Sequence, residues 1–522
     1  MRSPSSLLGL LHKAGPRISQ ELFVCRRCLH AQTPVPRQSP QNYKSVRQTA
    51  FLKAFRSHGQ ARTRRVSTAN LPSQEPAISN LGQSIAAQTA TPAARPFFPE
   101  TNSKSVGYWL LGSAASVFGL VIFGGLTRLT ESGLSITEWR PVTGSMPPTT
   151  TEKWESEFAL YRASPEFKLL NPRMTIDEFK QIYWMEWIHR FWGRIVGLTF
   201  LVPTAYFIAR RKVTGRMALR LVGICGLIGF QGVIGWWMVK SGLKDDLFAP
   251  GSFPRVSQYR LTTHLGTAFI CYLAMLWNGL AILRESRMLA NPAEAAKYLI
   301  SIQSPALKPF RRMVAALSVL VFVTAMSGGL VAGLDAGLIY NEFPYMGLGL
   351  APPMKELFDT FYSHVPDHSD LWWRNMLENP SLVQLDHRIL ATTTFTAIMA
   401  LFAYTRYSPR VRAAMPRAVS KGVHGVVGFA WLQVTLGITT LLYLVPLPLA
   451  SAHQAGALAL LSYTLILGGR AWFPKRTAQL VAKRLKQATQ PIGHRGPDSM
   501  PSARMGQNSS GQDQLSAILR AL

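Results

Sequence analysis

Residues 186–209 read EWIHRFWGRIVGLTFLVPTAYFIA. After Arg194 no charge occurs for fifteen residues, and His189 stands at the polar edge of the run. At 1.5 Å per residue such a run crosses a hydrocarbon core of about 30 Å as a helix. Runs of this kind recur, and the expected spans lie near 106–126, 188–209, 219–239, 262–283, 313–333, 386–405, 422–443 and 449–469. The fold class this predicts is an all-α membrane protein with eight transmembrane helices. Pro203 and Pro446 are placed to kink or end helices, which packed neighbours tolerate by satisfying the freed carbonyls.

The net charge of +30 raises the question of nucleic acid. Fourteen Lys and Arg against Glu21 and Glu75 precede Glu100, a net +12. Most of the rest is gathered in alternate loops. Arg210, Arg211, Lys212 and Arg216 lie between spans 2 and 3, with Arg220 at the edge of span 3, and Arg406, Arg410, Arg412, Arg417 and Lys421 lie between spans 6 and 7. The connection between spans 4 and 5 nets +4 and the tail after Gly469 nets +7. Charge partitioned this way is topogenic and targeting charge, and no stacking platform or groove-reading helix accompanies it, so no nucleic-acid partner is expected. Between Asp335 and Asp386, by contrast, Glu342, Glu356, Asp359, Asp367, Asp370 and Glu378 face only Lys355 and Arg374, and loop 1–2 is slightly acidic. The positive-inside rule puts both termini in the matrix and the long loops 1–2 and 5–6 in the intermembrane space.

The matrix assignment rests on the N-terminus. Residues 1–95 are rich in Arg, Ser, Gln and Ala and hold two acids, the composition of a mitochondrial transit peptide rather than of a folded domain. Leu7–Lys13 and Phe51–Arg56 suit its amphipathic helices, and cleavage is expected near Arg64-Arg65-Val66; a disordered basic tail is the competing reading. The expected organisation is a transit peptide over 1–66, a matrix segment over 67–104, an N-terminal four-helix half over 105–290, a matrix linker over 291–311, a C-terminal four-helix half over 312–470 and a basic matrix tail over 471–522. Of four cysteines, Cys25 and Cys28 fall in the segment expected to be removed, while Cys225 and Cys271 lie within apolar spans as small buried residues.

The halves repeat one another. Gly124-Gly125-Leu126, followed by Glu-Ser-Gly-Leu and Met146-Pro147-Pro148, recurs as Gly328-Gly329-Leu330, Asp-Ala-Gly-Leu and Ala351-Pro352-Pro353. Gln231 with Gly235 recurs as Gln433 with Gly437. Four spans per repeat is an even number, so both halves enter the membrane from the same face. They are expected as two parallel, pseudo-twofold-related four-helix bundles.

Four of the eleven histidines follow the repeat: His189 matches His387 at spans 2 and 6, and His264 matches His453 at spans 4 and 8. All four are expected at the intermembrane-space end. A lone His near a helix end is usually interfacial, but four at matched positions in membrane spans point to function. Paired imidazoles are axial ligands of haem iron, and a bundle core accommodates a flat macrocycle, so one haem site per half is expected. Zinc is disfavoured, since no third or fourth ligand has suitable spacing. Arg190 and Arg388 each follow one of these histidines and are candidate haem-propionate partners, with interfacial snorkelling as the competing role. His364, His368 and His424 have no such pattern and are read as solvated-loop or matrix-end residues.

The halves differ at one position. Glu186 lies three residues before His189, on the same helix face; its equivalent before His387 is Gln384. A carboxylate in one half only makes the first half the expected reaction site, with Glu186 accepting a proton or stabilising positive charge on an oxidised carbon. A structural Glu bonded to a loop is the alternative.

Taken together, Gly124-Gly125-Leu126-Thr127-Arg128, Glu138-Trp139-Arg140-Pro141, the stretch from Glu186 to Arg194, Gln231-Gly232 with Gly235 to Leu243, Thr263-His264-Leu265, Asp386-His387-Arg388 and Ala452-His453-Gln454 resemble the heme A synthase family, mitochondrial branch. The resemblance covers about residues 105–470. It implies oxidation of the C8 methyl of haem O, through a hydroxymethyl stage, to the formyl group of haem A for cytochrome c oxidase. It assigns His387 and His453 to a haem b cofactor, His189 and His264 to the substrate haem, and the key carboxylate to Glu186. A ferredoxin electron donor, contacts with haem O synthase and oxidase assembly factors, and homo-oligomers are family-level expectations. Some bacterial relatives carry a cysteine pair in loop 1–2; this chain has no cysteine between Val106 and Gly223, so no thiol role transfers. The competing functions are a di-haem electron-transfer protein and a haem transporter or chaperone.

Overall fold

The computed structural model describes residues 97–140, 146–244, 247 and 254–489, together with 513 and 516. The expected transit peptide, with Cys25, Cys28 and the cleavage region at Arg64, lies outside them. Eight long apolar helices are present: α1 (Lys104–Leu129), α2 (Ile176–Ala209), α3 (Gly215–Ser241), α4 (Gln258–Ala290), α5 (Lys308–Gly333), α6 (Pro380–Tyr407), α7 (Arg417–Leu442) and α8 (Leu447–Ala471). Their most apolar stretches have mean hydropathies of 1.2 to 2.2, and each helix is long enough to cross a membrane. No β-strand occurs among the described residues.

The apolar runs locate these helices but not their polar ends. α2 begins at Ile176, twelve residues before the apolar stretch at 188, because a capping box starts it in the loop. Thr175 Oγ1 accepts from the Glu178 amide at 3.4 Å, and the Glu178 carboxylate accepts from the Thr175 amide at 2.8 Å. Pro203 is carried inside α2, while Pro446 is the N-cap of α8 and starts that helix.

Each half closes a ring. α1 packs on α2 and α4, and α3 packs on the same two; α5 packs on α6 and α8, and α7 on the same two. Between the rings α4 meets α5, α8 meets α1, and α4 meets α8. Val106, Leu110, Ala114, Val117 and Val121 recur at steps of three and four along α1, and this buried stripe joins one core with Phe269, Tyr272, Met275 and Ile282 of α4. α4 is the most enclosed span, with half of its apolar stretch buried. Polar bonds pin the halves together: Tyr272 and Ser462 hydroxyls at 2.8 Å, and Gln454 Nε2 donating to the Val121 carbonyl at 2.9 Å. At one end Arg128 pairs with Asp335 at 2.7 Å, and Arg255 lies 3.7 Å from the other oxygen of the same carboxylate. Cys225 and Cys271 are free thiols, Cys271 buried.

The stretches expected as linker and basic tail also carry structure. Helix Pro292–Ile302 packs Ala295, Ala296, Leu299 and Ile302 against Ala478, Val481, Ala482 and Leu485 of helix Lys475–Thr489. Loop 1–2 holds two short helices, Thr151–Arg162 and Pro165–Leu169, gathered with the start of α2 around Phe158, Tyr161, Phe179 and Tyr183.

Glu166 in that loop is 5 % exposed and accepts from the Tyr161 hydroxyl at 2.8 Å. Burial, the main cause, pushes its carboxyl up to about 7. The folded loop thus holds this proton more tightly than the unfolded chain does. Its contribution to stability is full below about pH 4.5 and is lost as pH rises through about 7, a change on the order of 3 kcal/mol. Protease cutting within loop 1–2 should accelerate between about pH 5 and pH 8, and Glu166→Gln should flatten that dependence. An unchanged pH profile in the variant would assign the effect to other groups.

Candidate functional site

His264, His387 and His453 stand six or seven residues past the starts of α4, α6 and α8, and His189 thirteen past the start of α2. The four rings are half-buried. Each lies against a glycine of the repeat. A Cβ on Gly124 of α1 would stand 2.7 Å from Cε1 of His189, and one on Gly328 of α5 3.1 Å from Cε1 of His387. The corresponding distances are 3.3 Å from Gly235 of α3 to His264 and 2.9 Å from Gly437 of α7 to His453. A side chain at any of these positions would displace the ring, which is the physical reason the motif needs glycine there. The rings also pair by half: His189 and His264 lie within electrostatic reach of one another, as do His387 and His453.

The hydrogen-bonded surroundings differ. Nδ1 of His387 is 2.8 Å from Ser327 Oγ, and Nδ1 of His453 is 3.0 Å from the Gln433 amide. In the first half Nδ1 of His189 and Nδ1 of His264 are buried without a hydrogen-bond partner. Gln231, the counterpart of Gln433, donates to Thr267 Oγ1 at 2.5 Å and not to His264.

Glu186 is 3 % exposed and fully engaged. Oε2 accepts from Ser135 Oγ and from the Ile136 amide, both at 2.7 Å; Oε1 accepts from Arg190 Nη2 at 2.6 Å and Nε at 3.0 Å. Gln384 donates instead to the Tyr340 carbonyl at 3.0 Å, leaving its Oε1 buried and unpartnered. Arg190 and Arg388 clamp the loop that follows the first span of each half. Arg190 donates to the Ile136 and Glu138 carbonyls at 2.8 and 3.1 Å. Arg388 donates to those of Tyr340, Glu342 and Tyr345 at 3.0, 2.9 and 3.0 Å. All three nitrogens of Arg190 are in use, whereas Nε of Arg388 is buried and unpartnered.

Reading the sequence by motif misses Ser327, the loop-clamping role of both arginines and the Arg128–Asp335 bridge. The repeat held the signal for the clamp, since Ile136 and Glu138 stand as far before Tyr340 and Glu342 as Gly124 stands before Gly328. His364, 3.5 Å from a Glu378 oxygen, and His424, 2.9 Å from the Ser420 carbonyl, take no part in the paired arrangement.

The residues fit an iron porphyrin. Each half offers two imidazoles from alternate helices of a ring, each against a residue without a side chain, and neutral imidazole is the donor type that haem iron takes. Among the described residues no three His, Cys, Asp or Glu side chains gather into a metal cluster.

Eight long apolar helices carrying two imidazole pairs define a polytopic helical membrane protein. The chain belongs to the COX15-CtaA family, cytochrome oxidase assembly protein, whose model matches residues 107–465. Heme A synthase COX15 of Saccharomyces cerevisiae is 52 % identical over 374 residues, covering 72 % of this chain and 76 % of that protein. The human protein of the same name is 45 % identical over 362 residues, 69 % of this chain and 81 % of its own length. The heme A synthase-mitochondrial ferredoxin fusion protein of Schizosaccharomyces pombe is 50 % identical over 374 residues, covering 70 % of this chain and 60 % of the fusion.

Proposed function

We propose that this chain is a heme A synthase of the mitochondrial inner membrane, an oxidoreductase that converts the C8 methyl of haem O to the formyl of haem A for cytochrome c oxidase. The observation that carries this is two matched imidazole pairs, with a buried carboxylate, Glu186, where the second half has Gln384. Family membership supplies the reaction. The two rings, taken with the repeat, are read as parallel bundles related by a pseudo-twofold axis along the membrane normal. The loop charges orient them with both termini in the matrix and the histidines toward the intermembrane space. The boundaries of 105–290 and 312–470 for the two halves accompany that reading.

His189 and His264 bind and orient the substrate haem O. Glu186, ion-paired with Arg190 and fixed by Ser135 and the Ile136 amide, presents negative charge to the face of α2 that carries His189. Each of the two oxidations, methyl to hydroxymethyl and hydroxymethyl to hydrated aldehyde, would take one O2 and two donor electrons, one oxygen atom entering a C–H bond and the other leaving as water. The Glu186 carboxylate would stabilise positive charge building on that carbon. His387 and His453 hold a resident haem b, which supplies a one-electron redox centre when bound. Arg388, with its spare Nε donor, is the candidate propionate partner in that half, while Arg190 is committed to Glu186 and the loop. A ferredoxin is the expected electron donor, in keeping with the fused ferredoxin of the Schizosaccharomyces pombe relative.

The test is complementation. In yeast lacking its own heme A synthase, mitochondria expressing this chain should regain a haem A peak on chromatography and lose accumulated haem O. Correctly inserted protein with no haem A would overturn the assignment.

A further inference from the structure

The second half surrounds His387 with a relay that the first half lacks. Ser327 Oγ stands 2.8 Å from the Thr324 carbonyl, to which it donates, and 2.8 Å from Nδ1 of His387. A hydroxyl has one proton. With that proton on Thr324, Ser327 accepts from Nδ1–H of His387, and the ring is held in the tautomer whose Nε2 carries the free lone pair. That is the tautomer an iron ligand requires, and such a partner also raises the basicity of the ligating nitrogen.

The matching position in α1 is Phe123, as far before Ser327 as Gly124 is before Gly328. Phe123 offers His189 no acceptor, and its ring lies instead 6.2 Å from that of Trp192. The other pair also differs in its contacts, though there the group at Nδ1 is a donor amide rather than an accepting hydroxyl. Gly456 lets Gln433 fold against it and reach both Nδ1 and the carbonyl of His453, whereas Thr267 stands in the equivalent place beside His264 and takes the amide of Gln231. One half contacts both imidazoles by a hydrogen bond at Nδ1; the other packs its rings without one.

We propose that Ser327 is a positioning residue that makes the α5–α8 ring a haem-retaining site, and that Phe123 at the matched place makes the α1–α4 ring one that releases its porphyrin. A resident cofactor must stay through many turnovers, while a substrate site must empty each cycle. The inference rests on reading both pairs as haem ligands and deepens it, since it says which haem leaves.

The experiment uses the full-length protein purified in detergent with its bound haem, compared with Ser327→Ala, Ser327→Thr, Phe123→Ser and His387→Ala. Haem release to excess apomyoglobin and the midpoint potential of the retained haem are measured, with size-exclusion profiles checking the fold. Ser327→Ala should speed release by about 10-fold to 100-fold and raise the potential, because the ligating imidazole loses basicity. Ser327→Thr, which keeps the hydroxyl, should restore both, and Phe123→Ser should slow release from the first half. If His387→Ala still shows the full haem spectrum, the ligand assignment itself fails. If His387→Ala loses that spectrum while Ser327→Ala matches the parent in release and potential, only the proposal about Ser327 is overturned.

Discussion

Mitochondria carrying His189→Ala or His264→Ala should contain no detectable haem A and should accumulate haem O, while the purified variants keep the haem of the other half. The reason is positional. Each ring fills the space opposite a glycine, so Ala removes an iron ligand without creating a clash. Loss of a partner that merely orients a ligand costs 10-fold to 100-fold in metal affinity, and loss of the ligand itself should exceed about 100-fold. His387→Ala and His453→Ala should differ in kind, removing the retained haem spectrum as well as haem A. Chromatography of extracted haems together with the Soret band of purified protein separates these outcomes. Normal haem A in all four variants would remove the imidazole pairs from the reaction.

Glu186→Gln should lower haem A by about 100-fold to 1,000-fold, the cost of removing one preorganised charge from a developing transition state. The substitution keeps shape but ends the ion pair with Arg190 and turns an amide NH2 toward donors that need an acceptor. A structural cost of about 1–3 kcal/mol follows from the unsatisfied donors, less than a fully buried ion pair would impose because Arg190 is partly exposed. The decisive comparison is haem A per inserted protein. If Glu186→Gln lowers protein level and haem A in proportion, the carboxylate serves only to tie loop 1–2 to α2. Gln384→Glu should create no second reaction site, since Ile339 stands where the first half has Ser135 and Arg388, the counterpart of Arg190, is bonded to loop carbonyls.

The fold was legible because membrane spans are written in the plainest physical code, length and apolarity. All eight helices lie where hydropathy put them. Their polar extensions were not legible that way: the start of α2 depends on the Thr175–Glu178 cap, which lies outside the apolar run. The four histidines could be picked out because the repeat supplied an internal comparison. What surrounds them could not. Ser327, Thr267 and Gly456 are unremarkable small residues in a sequence, and only the packing of α5 on α6, or of α3 on α4, reveals which ring they reach. Arg190 and Arg388 were noticed for charge, whereas their observed bonds go mainly to loop carbonyls, which carry no side-chain signature.

Each contact between the halves has its counterpart under the repeat, α4 on α5 with α8 on α1, a pattern that would follow if the halves were two copies of one four-helix subunit paired as a dimer. In such a dimer one gene would write both sides, and exchanging a serine for a phenylalanine would alter both cavities at once. Joining the subunits in a single polypeptide lifts that restriction. Each copy then mutates alone, and a cavity that keeps its guest can sit permanently beside one that lets its guest go.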